Sequence, residues 1–267
     1  MGEDGNKTDD EAQVIIYNLG DLIFSSQPSD QMSQTNSAYE TLRRALLDCD
    51  IAPDTPLAIS SLKARFGFGW TPLREALSRL EAESLVTFEA NKGYRVAPVS
   101  IAGLKDLQLA RTAVETTLFT RSIARGGDKW EADLVAAHYL LAQASPPTPG
   151  AVTAQGILWE ERHDAFHAAL LSAADAPWLT HLDRQTSDQL HRHHRFILNG
   201  TDVAEQLDGK RGQRIREVFD RTLGIAHHTQ LMDAALARDP EAATRLLEEH
   251  IGFTLGVYET LWPESGQ

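Results

Sequence analysis

The stretch "FGFGWTPLREALSRLEAESLV", residues 66–86, decides the fold. A turn with two glycines leads into Thr71-Pro72, where the hydroxyl can cap a helix and the proline suits its first position. The predicted helix that follows carries Arg74 and Arg79 on its outer side. Its apolar stripe comprises Leu73, Ala76, Leu77 and Leu80. A short turn entering an amphipathic helix with exposed arginines predicts the second half of a helix-turn-helix.

The flanking segments complete this motif. "AYETLRRALLD" (38–48) and "LAISSLKARFG" (57–67) each place apolar residues at helical spacing. "LVTFEANKGYRVAP" (85–98) alternates like two strands around a turn at Asn91-Lys92-Gly93. Three helices followed by a two-stranded hairpin predict a winged helix-turn-helix domain over residues 38–99.

The distribution of charge agrees with that assignment. The chain has 267 residues and a formal net charge of −13. Residues 1–38 have a net charge of −6, residues 39–99 of zero and residues 100–267 of −7. Binding of nucleic acid requires a local positive potential rather than a basic chain. The neutral segment is therefore the part expected to contact DNA.

The rest of the chain divides into an arm and a helical domain. Residues 1–37 are predicted to form a mostly flexible acidic arm, whose apolar patch "VIIYNLGDLIF" can dock as a short helix. Residues 100–262 show only helical periods, over 101–125, 129–143, 155–174, 177–197, 211–237 and 240–261. We therefore expect a mainly α protein with an all-helical C-terminal bundle of about six helices and a short tail at 263–267. One cysteine and no long apolar run predict a cytoplasmic protein that does not enter the membrane.

All ten histidines lie in the C-terminal part. His163 and His167 are four residues apart on one predicted helix and share a face. His228 and His250 lie on the last two long helices, which a short connection makes antiparallel neighbours. Four neutral imidazoles suit a divalent transition metal such as zinc or nickel. The alternative is that each histidine is a hydrogen-bonded core residue.

These features together resemble the GntR superfamily of bacterial transcription factors, in the branch with a C-terminal FCD domain. The segments that carry the resemblance are "TPLREALSRLEAESLV", "NKGYRV", "ARTAVE", "HDAFHAALL" and "HHTQLMDAALARDPEAATRLLEEHI". The resemblance implies a ligand-responsive regulator, more often a repressor, that binds palindromic operator DNA as a homodimer and responds to a small carboxylate. "NKGYRVA" and "IARGGDKWEAD" are most similar to regulators of glutarate and 4-aminobutyrate catabolism, which suggests a glutarate-like dicarboxylate.

The DNA-contacting residues expected from this resemblance are Thr71 and Arg74 at the start of the helix, Lys92 and Gly93 at the wing tip, and Trp70. An arginine at position 74 can bind guanine or clamp a phosphate. Members of the family usually carry Ser-Arg before Thr-Pro, whereas this chain has Gly69-Trp70. Trp70 either contacts the DNA backbone or packs the turn onto the second helix.

The same resemblance supports the four histidines as metal ligands and adds two candidate effector-binding residues. The branch generally uses an aspartate at the position of His163, so the site here would be all-nitrogen and favour late transition metals over manganese. Asp164 is expected to point away from it. Arg111 and Arg195 are candidates to bind the carboxylate of an effector, and a salt bridge is the alternative for each.

Two other classes of protein fit parts of the sequence. "HDAFH" differs by one methylene from the H-E-x-x-H helix of zinc proteases, so a metal-dependent hydrolase is the alternative function. An architectural DNA-binding protein with a purely structural bundle is the third reading.

Overall fold

The computed structural model describes residues 28–148, 151, 153–199 and 209–262. The apolar patch at 14–24 and the predicted tail at 263–267 lie outside the described residues.

The N-terminal part is the predicted winged helix-turn-helix. It consists of α1 (Pro28–Leu47), α2 (Ile59–Phe66), α3 (Trp70–Ala82), β1 (Val86–Glu89) and β2 (Gly93–Val96). The two strands pair antiparallel, with Val86 opposite Val96 and Glu89 opposite Gly93. The segment before α2 extends the wing, because Leu57 N–H donates to Tyr94 O at 2.8 Å. The core is formed by the predicted stripe of α3 and the apolar residues of α1, including Leu42 and Leu46.

The first helix begins earlier than predicted. Residues 28–37, which the sequence assigned to the arm, belong to α1. The sequence has no apolar stripe there, and two of its polar residues, Thr35 and Asn36, contact α3 instead. Thr35 is buried and donates from Oγ1 to Glu75 Oε2 at 2.8 Å.

The start of α3 also differs from the prediction. Thr71 is not its cap, because the N-cap is Gly69 and no side chain caps the helix. Gly69 O accepts the first helical hydrogen bond from Leu73 N at 3.2 Å. Trp70 is thus the first helical residue and Pro72 the third, where a missing N–H still leaves no helical bond unmade.

In the described C-terminal part, the regular secondary structure is helical. Its helices are α4 (Ile101–Arg125), α5 (Asp128–Ala142), α6 (Ala154–Leu171), α7 (Pro177–Asn199), α8 (Gly209–Leu223), α9 (Ile225–Leu236) and α10 (Pro240–Leu261). The predicted helix 211–237 is two helices, because Gly224 has an extended ψ of 147° and separates α8 from α9. A Cβ at Gly224 would lie 2.4 Å from Asp220 O, so only glycine fits this break.

A second glycine fixes the packing of α5. A Cβ at Gly126 would lie 2.3 Å from Trp130 Cε3 and 2.9 Å from Ser122 O. Trp130 is buried and donates from Nε1 to Ala169 O at 2.9 Å, which ties α5 to α6. The side chain of Trp130 can therefore keep this position only against a glycine.

We predict that Gly126→Ala lowers the free energy of unfolding by about 2 kcal/mol, since an extra methyl group overpacks this junction. Urea denaturation of the variant and the wild type measures the difference. Gly127→Ala is the matched control, because a Cβ there meets nothing within 4 Å. Equal losses in both variants would contradict a steric role for Gly126.

Candidate functional site

The outer side of α3 carries one arginine without a partner. Arg74 is exposed and makes no hydrogen bond or ion pair with any residue that the structure describes. Thr71, in the same first turn, is also exposed. Both residues therefore lie where the second helix of a helix-turn-helix meets the major groove.

Two other charged residues of α3 are engaged with α1. Arg79 donates to Asn36 Oδ1 at 2.9 Å, and its guanidinium lies 3.7 Å from the ring centroid of Tyr39. Glu75 accepts from Thr35 Oγ1. Arg79 and Glu75 thus fix the angle between α1 and α3, which leaves Arg74 as the arginine of this helix that is available to a ligand.

Trp70 is exposed at the N-terminus of α3, with an exposed fraction of 54%. The turn is instead packed onto the core by Phe66 and Phe68, both partly buried. The reading of Trp70 as the residue that packs the turn onto the second helix is therefore wrong. Its indole is presented to solvent next to Thr71.

The wing tip is a tight turn with exposed side chains. Asn91 and Gly93 have positive φ angles of 68° and 81°. Lys92 is exposed and lies 2.6 Å from Glu89 through Nζ and Oε2. Exposed ion pairs of this kind contribute little energy and exchange partners readily. Lys92 can therefore turn to a phosphate at little cost.

The four predicted histidines meet in one cluster. His163 and His167 come from α6, His228 from α9 and His250 from α10. One potential ligand atom from each lies within 4.8 Å of all the others. Ring centroids are 4.5 Å apart for His163 and His167 and 4.8 Å apart for His228 and His250. The break at Gly224 helps to build the cluster, because Gly224 O accepts a hydrogen bond from His228 Nδ1 at 2.9 Å.

The cluster has the chemistry of a metal centre. A backbone carbonyl can only accept, so His228 carries its proton on Nδ1 and presents the lone pair of Nε2. Three buried nitrogens of the cluster have no hydrogen-bond partner in the described structure: His167 Nε2, His228 Nε2 and His250 Nδ1. Orphaned buried nitrogens are costly unless they bind something. The residues therefore fit a divalent ion held by imidazoles.

Protonation would not relieve these nitrogens. Burial lowers the pKa of His228 to about 3, and the charges of neighbouring histidines act in the same direction. Burial also lowers the pKa of His167 and of His250 well below the usual range. The imidazoles are thus neutral at physiological pH, which is the form that binds metals.

The residues beside the cluster do not contribute ligands. Asp164 is exposed, and its Oδ1 lies 3.5 Å from His163 Nδ1, outside the group of four. It does not occupy the position of a general base above a shared metal, so the hydrolase reading of "HDAFH" is not favoured. His227 donates from Nε2 to Leu246 O at 3.0 Å and stacks on His250.

A cavity of about 420 Å³ opens beside the cluster between α4, α6 and α7, here called the central cavity. His163 and His167 form one part of its wall and Arg111 another. Arg111 is buried and bonds Glu115 with two nitrogens, at 2.6 Å and 3.2 Å. Its charge is therefore already compensated. The salt bridge, offered as the alternative for this residue, is what the structure contains.

Arg195 lies elsewhere. It borders a second crevice of about 500 Å³ between α1 and α6, which shares some residues with the central cavity. Its Nη2 lies 2.6 Å from Glu160 Oε2, and its Nε lies 3.9 Å from Asp48 Oδ1. Arg195 thus joins α7 to α6 and α1, and the structure does not bring it together with Arg111.

Helix α7 binds the N-terminal domain along its other side. Gln189 Nε2 donates to Glu83 O at 3.1 Å, and Arg43 forms ion pairs with both Glu83 and Asp188. Arg192 is 1% exposed and donates to Ala97 O. Glu83 is the residue that ends α3. One helix therefore lines the central cavity and also holds the C-terminal end of α3.

Sequence reasoning missed the polar residues that α7 and α4 add to the cavity. They are Glu115, Asp183, Arg184, Ser187, Asp188, His191 and His194. Burial lowers the pKa of His194 to about 3, and His194 Nε2 lies 3.1 Å from Thr254 Oγ1. The sequence of α7 contained a partial signal for these residues, because its polar side chains recur at intervals of three and four residues on one face.

A winged helix-turn-helix with an unpaired, exposed arginine, joined to a helical domain that carries a histidine cluster, indicates a DNA-binding regulator. The model of the GntR family of bacterial regulatory proteins matches residues 34–96, and that of the FCD domain matches residues 106–253. The chain belongs to the GntR family of transcriptional regulators, in the branch with an FCD domain. The members to which it is similar are regulators and not enzymes.

Two relatives span most of the chain. The HTH-type transcriptional repressor GlaR of Escherichia coli (strain K12) is 35% identical over 216 residues, which are 80% of this chain and 90% of the relative. The uncharacterized HTH-type transcriptional regulator BphR of Paraburkholderia xenovorans (strain LB400) is 30% identical over 250 residues, 93% of this chain and 89% of the relative.

Solved structures agree on the fold. E. coli McbR/YncC has a TM-score of 0.60 at 19% identity, over 85% of this chain and 98% of that one. A putative GntR regulator from Rhodococcus sp. RHA1 gives the same TM-score and identity, over 86% and 99%. At this identity the likeness concerns the fold alone. Among the described helices, none is long and apolar enough to cross a membrane.

The stability of the joint between α7 and α10 should depend on pH through His193. This residue is 6% exposed, and its Nδ1 lies 3.0 Å from Tyr258 Oη. Burial, followed by the charge of Arg192, lowers the pKa of His193 from 6.5 to about 4. The unfolded chain therefore binds the proton more tightly, so this contribution is complete above pH 6.5 and is lost as the pH falls towards 4.

We predict that between pH 7.5 and pH 5 the chelator-treated wild type loses more unfolding free energy than His193→Asn, by on the order of 2 kcal/mol. Urea titrations at the two pH values measure this difference. His181→Asn is the control, since His181 is exposed and should leave the pH dependence unchanged. Equal losses in wild type and His193→Asn would show that His193 is not buried as a neutral group.

Proposed function

We propose that this regulator is a cytoplasmic repressor that binds palindromic operator DNA as a homodimer. A small carboxylate, bound at or near a divalent metal ion in the C-terminal domain, releases or modulates it. The observation that carries the proposal is the four-histidine cluster, two of whose members line a cavity that Arg43 of the winged helix-turn-helix domain also lines. The similarity to the repressor GlaR supports repression, rather than activation, of transcription.

The DNA contacts are assigned to the first turn of α3 and to the wing. Arg74 and Thr71 face the major groove, and Arg74 is free to bind guanine or phosphate. Lys92 and Gly93 approach the backbone at the wing tip. Trp70 stands at the helix N-terminus, where its exposed indole can lie against a sugar or phosphate that the first turn also contacts.

The metal would be held by His163, His167, His228 and His250. Bound there, it would act as a Lewis acid that accepts a carboxylate oxygen. An all-nitrogen ligand set favours zinc or nickel over manganese. Arg111 and Arg195, the arginines expected to bind the effector, are better suited to holding the walls of the two cavities through Glu115 and Glu160.

An effector in the central cavity would act on DNA through α7. Asp188 lines this cavity and pairs with Arg43, which also pairs with Glu83 at the end of α3. A displacement of α7 therefore moves the recognition helix, and a ligand that prefers one position of α7 shifts the population towards it. We expect the effector to change operator affinity without dissociating the dimer.

The dimer is assigned to the outer face of α4 and α7. Leu109 on α4 and Trp178 on α7 have exposed fractions of 72% and 82%. Helix α4 also carries an exposed stripe of small residues: Ala110, Ala113, Thr117 and Thr120. Both threonines donate their hydroxyls back to the helix, at 2.9 Å and 2.8 Å. The face is therefore apolar, and its small side chains allow a second copy to approach closely.

We predict that Arg74→Ala reduces operator affinity at least about tenfold, because a bidentate contact to a base or phosphate is lost. Fluorescence anisotropy with the operator measures the affinity, and circular dichroism checks that the fold is intact. Lys129→Ala is the charge-matched control, since Lys129 is an exposed residue of α5. Unchanged affinity in Arg74→Ala would remove Arg74 from the interface.

We predict that the wild type binds about one zinc or nickel ion per chain and that His228→Ala loses it, because a fully buried ligand is removed. Elemental analysis after dialysis measures the content, and His181→Ala serves as the control outside the cluster. His163→Asp should shift the preference towards manganese, since a carboxylate replaces an imidazole. Wild-type protein that retains no metal would contradict the assignment.

A further inference from the structure

The central cavity has more acidic than basic side chains on its wall. Five carboxylates line it, from Glu115, Glu160, Asp164, Asp183 and Asp188. Three guanidiniums face them, from Arg43, Arg111 and Arg184. A divalent ion on the neutral histidines would balance this difference of two charges. A dicarboxylate would then bring two uncompensated negative charges into a half-enclosed site, which desolvation opposes.

The guanidiniums are not equally available to a ligand. Arg111 is buried in its two-bond contact with Glu115, and Arg43 is paired with Asp188 and Glu83. Releasing either arginine would leave a carboxylate unpaired in a buried or half-buried position. Arg184 is exposed at the rim, where water screens its charge. The cavity therefore offers an incoming anion the histidine cluster and little else.

One of the carboxylates is available to a cation. Asp183 is half-buried on α7, and its carboxylate makes no hydrogen bond or ion pair within the part of the chain that the structure describes. Burial raises the pKa of Asp183 to about 6, and the charge of Glu115 adds to the effect. A positive group placed against Asp183 would offset both the loss of hydration on burial and the repulsion from Glu115.

The spacing along the helices separates Asp183 from the histidines. Glu160 on α6 pairs with Arg195 on α7, and the two helices run antiparallel. His167, seven residues after Glu160, is then level with Asp188, seven residues before Arg195. Asp183 precedes Asp188 by five residues on α7, so the two residues are roughly 7 Å apart along the helix axis. A short unbranched chain with a charged group at each end spans this offset.

We infer that the central cavity selects an amino carboxylate, whose carboxylate faces the histidine cluster and whose ammonium group lies against Asp183. This specificity rests on the proposed function, in which the cavity binds a small carboxylate. Asp183 is thereby the residue that distinguishes an amino acid from a dicarboxylate of the same length. The occupied cavity is then close to neutral as a whole.

The test compares ligands that differ at one end only. Isothermal titration calorimetry of the full chain loaded with zinc uses 5-aminopentanoate, glutarate and pentanoate, together with the amino acids one carbon shorter and longer. The best amino carboxylate should bind the wild type at least about tenfold more tightly than glutarate or pentanoate, since a charge-assisted hydrogen bond is gained. Asp183→Asn should lose that advantage, retain pentanoate binding and bind glutarate more tightly.

Asp175→Asn is the matched control, because Asp175 is an exposed residue paired with Arg125 outside the cavity. Its ligand preferences should equal those of the wild type. Glutarate bound more tightly than every amino acid, and lost in Arg184→Gln rather than changed in Asp183→Asn, would overturn the inference while the proposed function stands. A zinc-loaded wild type that binds none of these ligands would overturn the proposed function as well.

Discussion

The contact that the two halves of the molecule depend on is the double ion pair of Arg43. This side chain of α1 bonds Glu83 at the end of α3 and Asp188 on α7, and all three groups are about three-quarters buried. In that setting, loss of any one partner leaves the others poorly hydrated, so the three groups tend to move together. Because Asp188 also lines the central cavity, one shared arginine links the C-terminal end of α3 to the wall of that cavity.

This coupling also explains how the charges of α3 are distributed. Arg79 and Glu75 form hydrogen bonds with side chains of α1. Arg74 is therefore the arginine of α3 that remains available to DNA. Helix α1 contacts α3 along its length, and α7 contacts its C-terminal end at Glu83. These contacts give the recognition helix a defined orientation. The proposed control of DNA binding by the C-terminal domain would act through these contacts. The net negative charge of the chain does not oppose DNA binding, since residues 39–99 have a net charge of zero.

Much of the architecture follows from the sequence, because helical periods and the alternation of the wing depend on local spacing. The four histidines could be grouped for a similar reason: His163 and His167 share one face of a helix, and the short connection between the last two helices brings His228 and His250 together. What could not be predicted depends on tertiary contacts. The beginning of α1 is stabilised by Thr35 against Glu75, forty residues away, and the first turn of α3 starts at Gly69 without a side-chain cap. Likewise the charges of Arg111 and Arg195 are compensated by partners that no local pattern identifies.

His163, which stands where the family resemblance implies an aspartate, and the acidity of the central cavity are linked through the charge of the proposed metal ion. With four neutral ligands, the full charge of a divalent ion would remain on the site, whereas an aspartate would remove one unit at the metal itself. The low-dielectric interior then requires compensation from groups farther away. The excess of carboxylates on the cavity wall would supply it without occupying a coordination position. A ligand carboxylate at the proposed metal would upset this balance unless the same molecule returned a positive charge to the acidic wall, so the proposed set of four imidazoles would restrict what the cavity can accept.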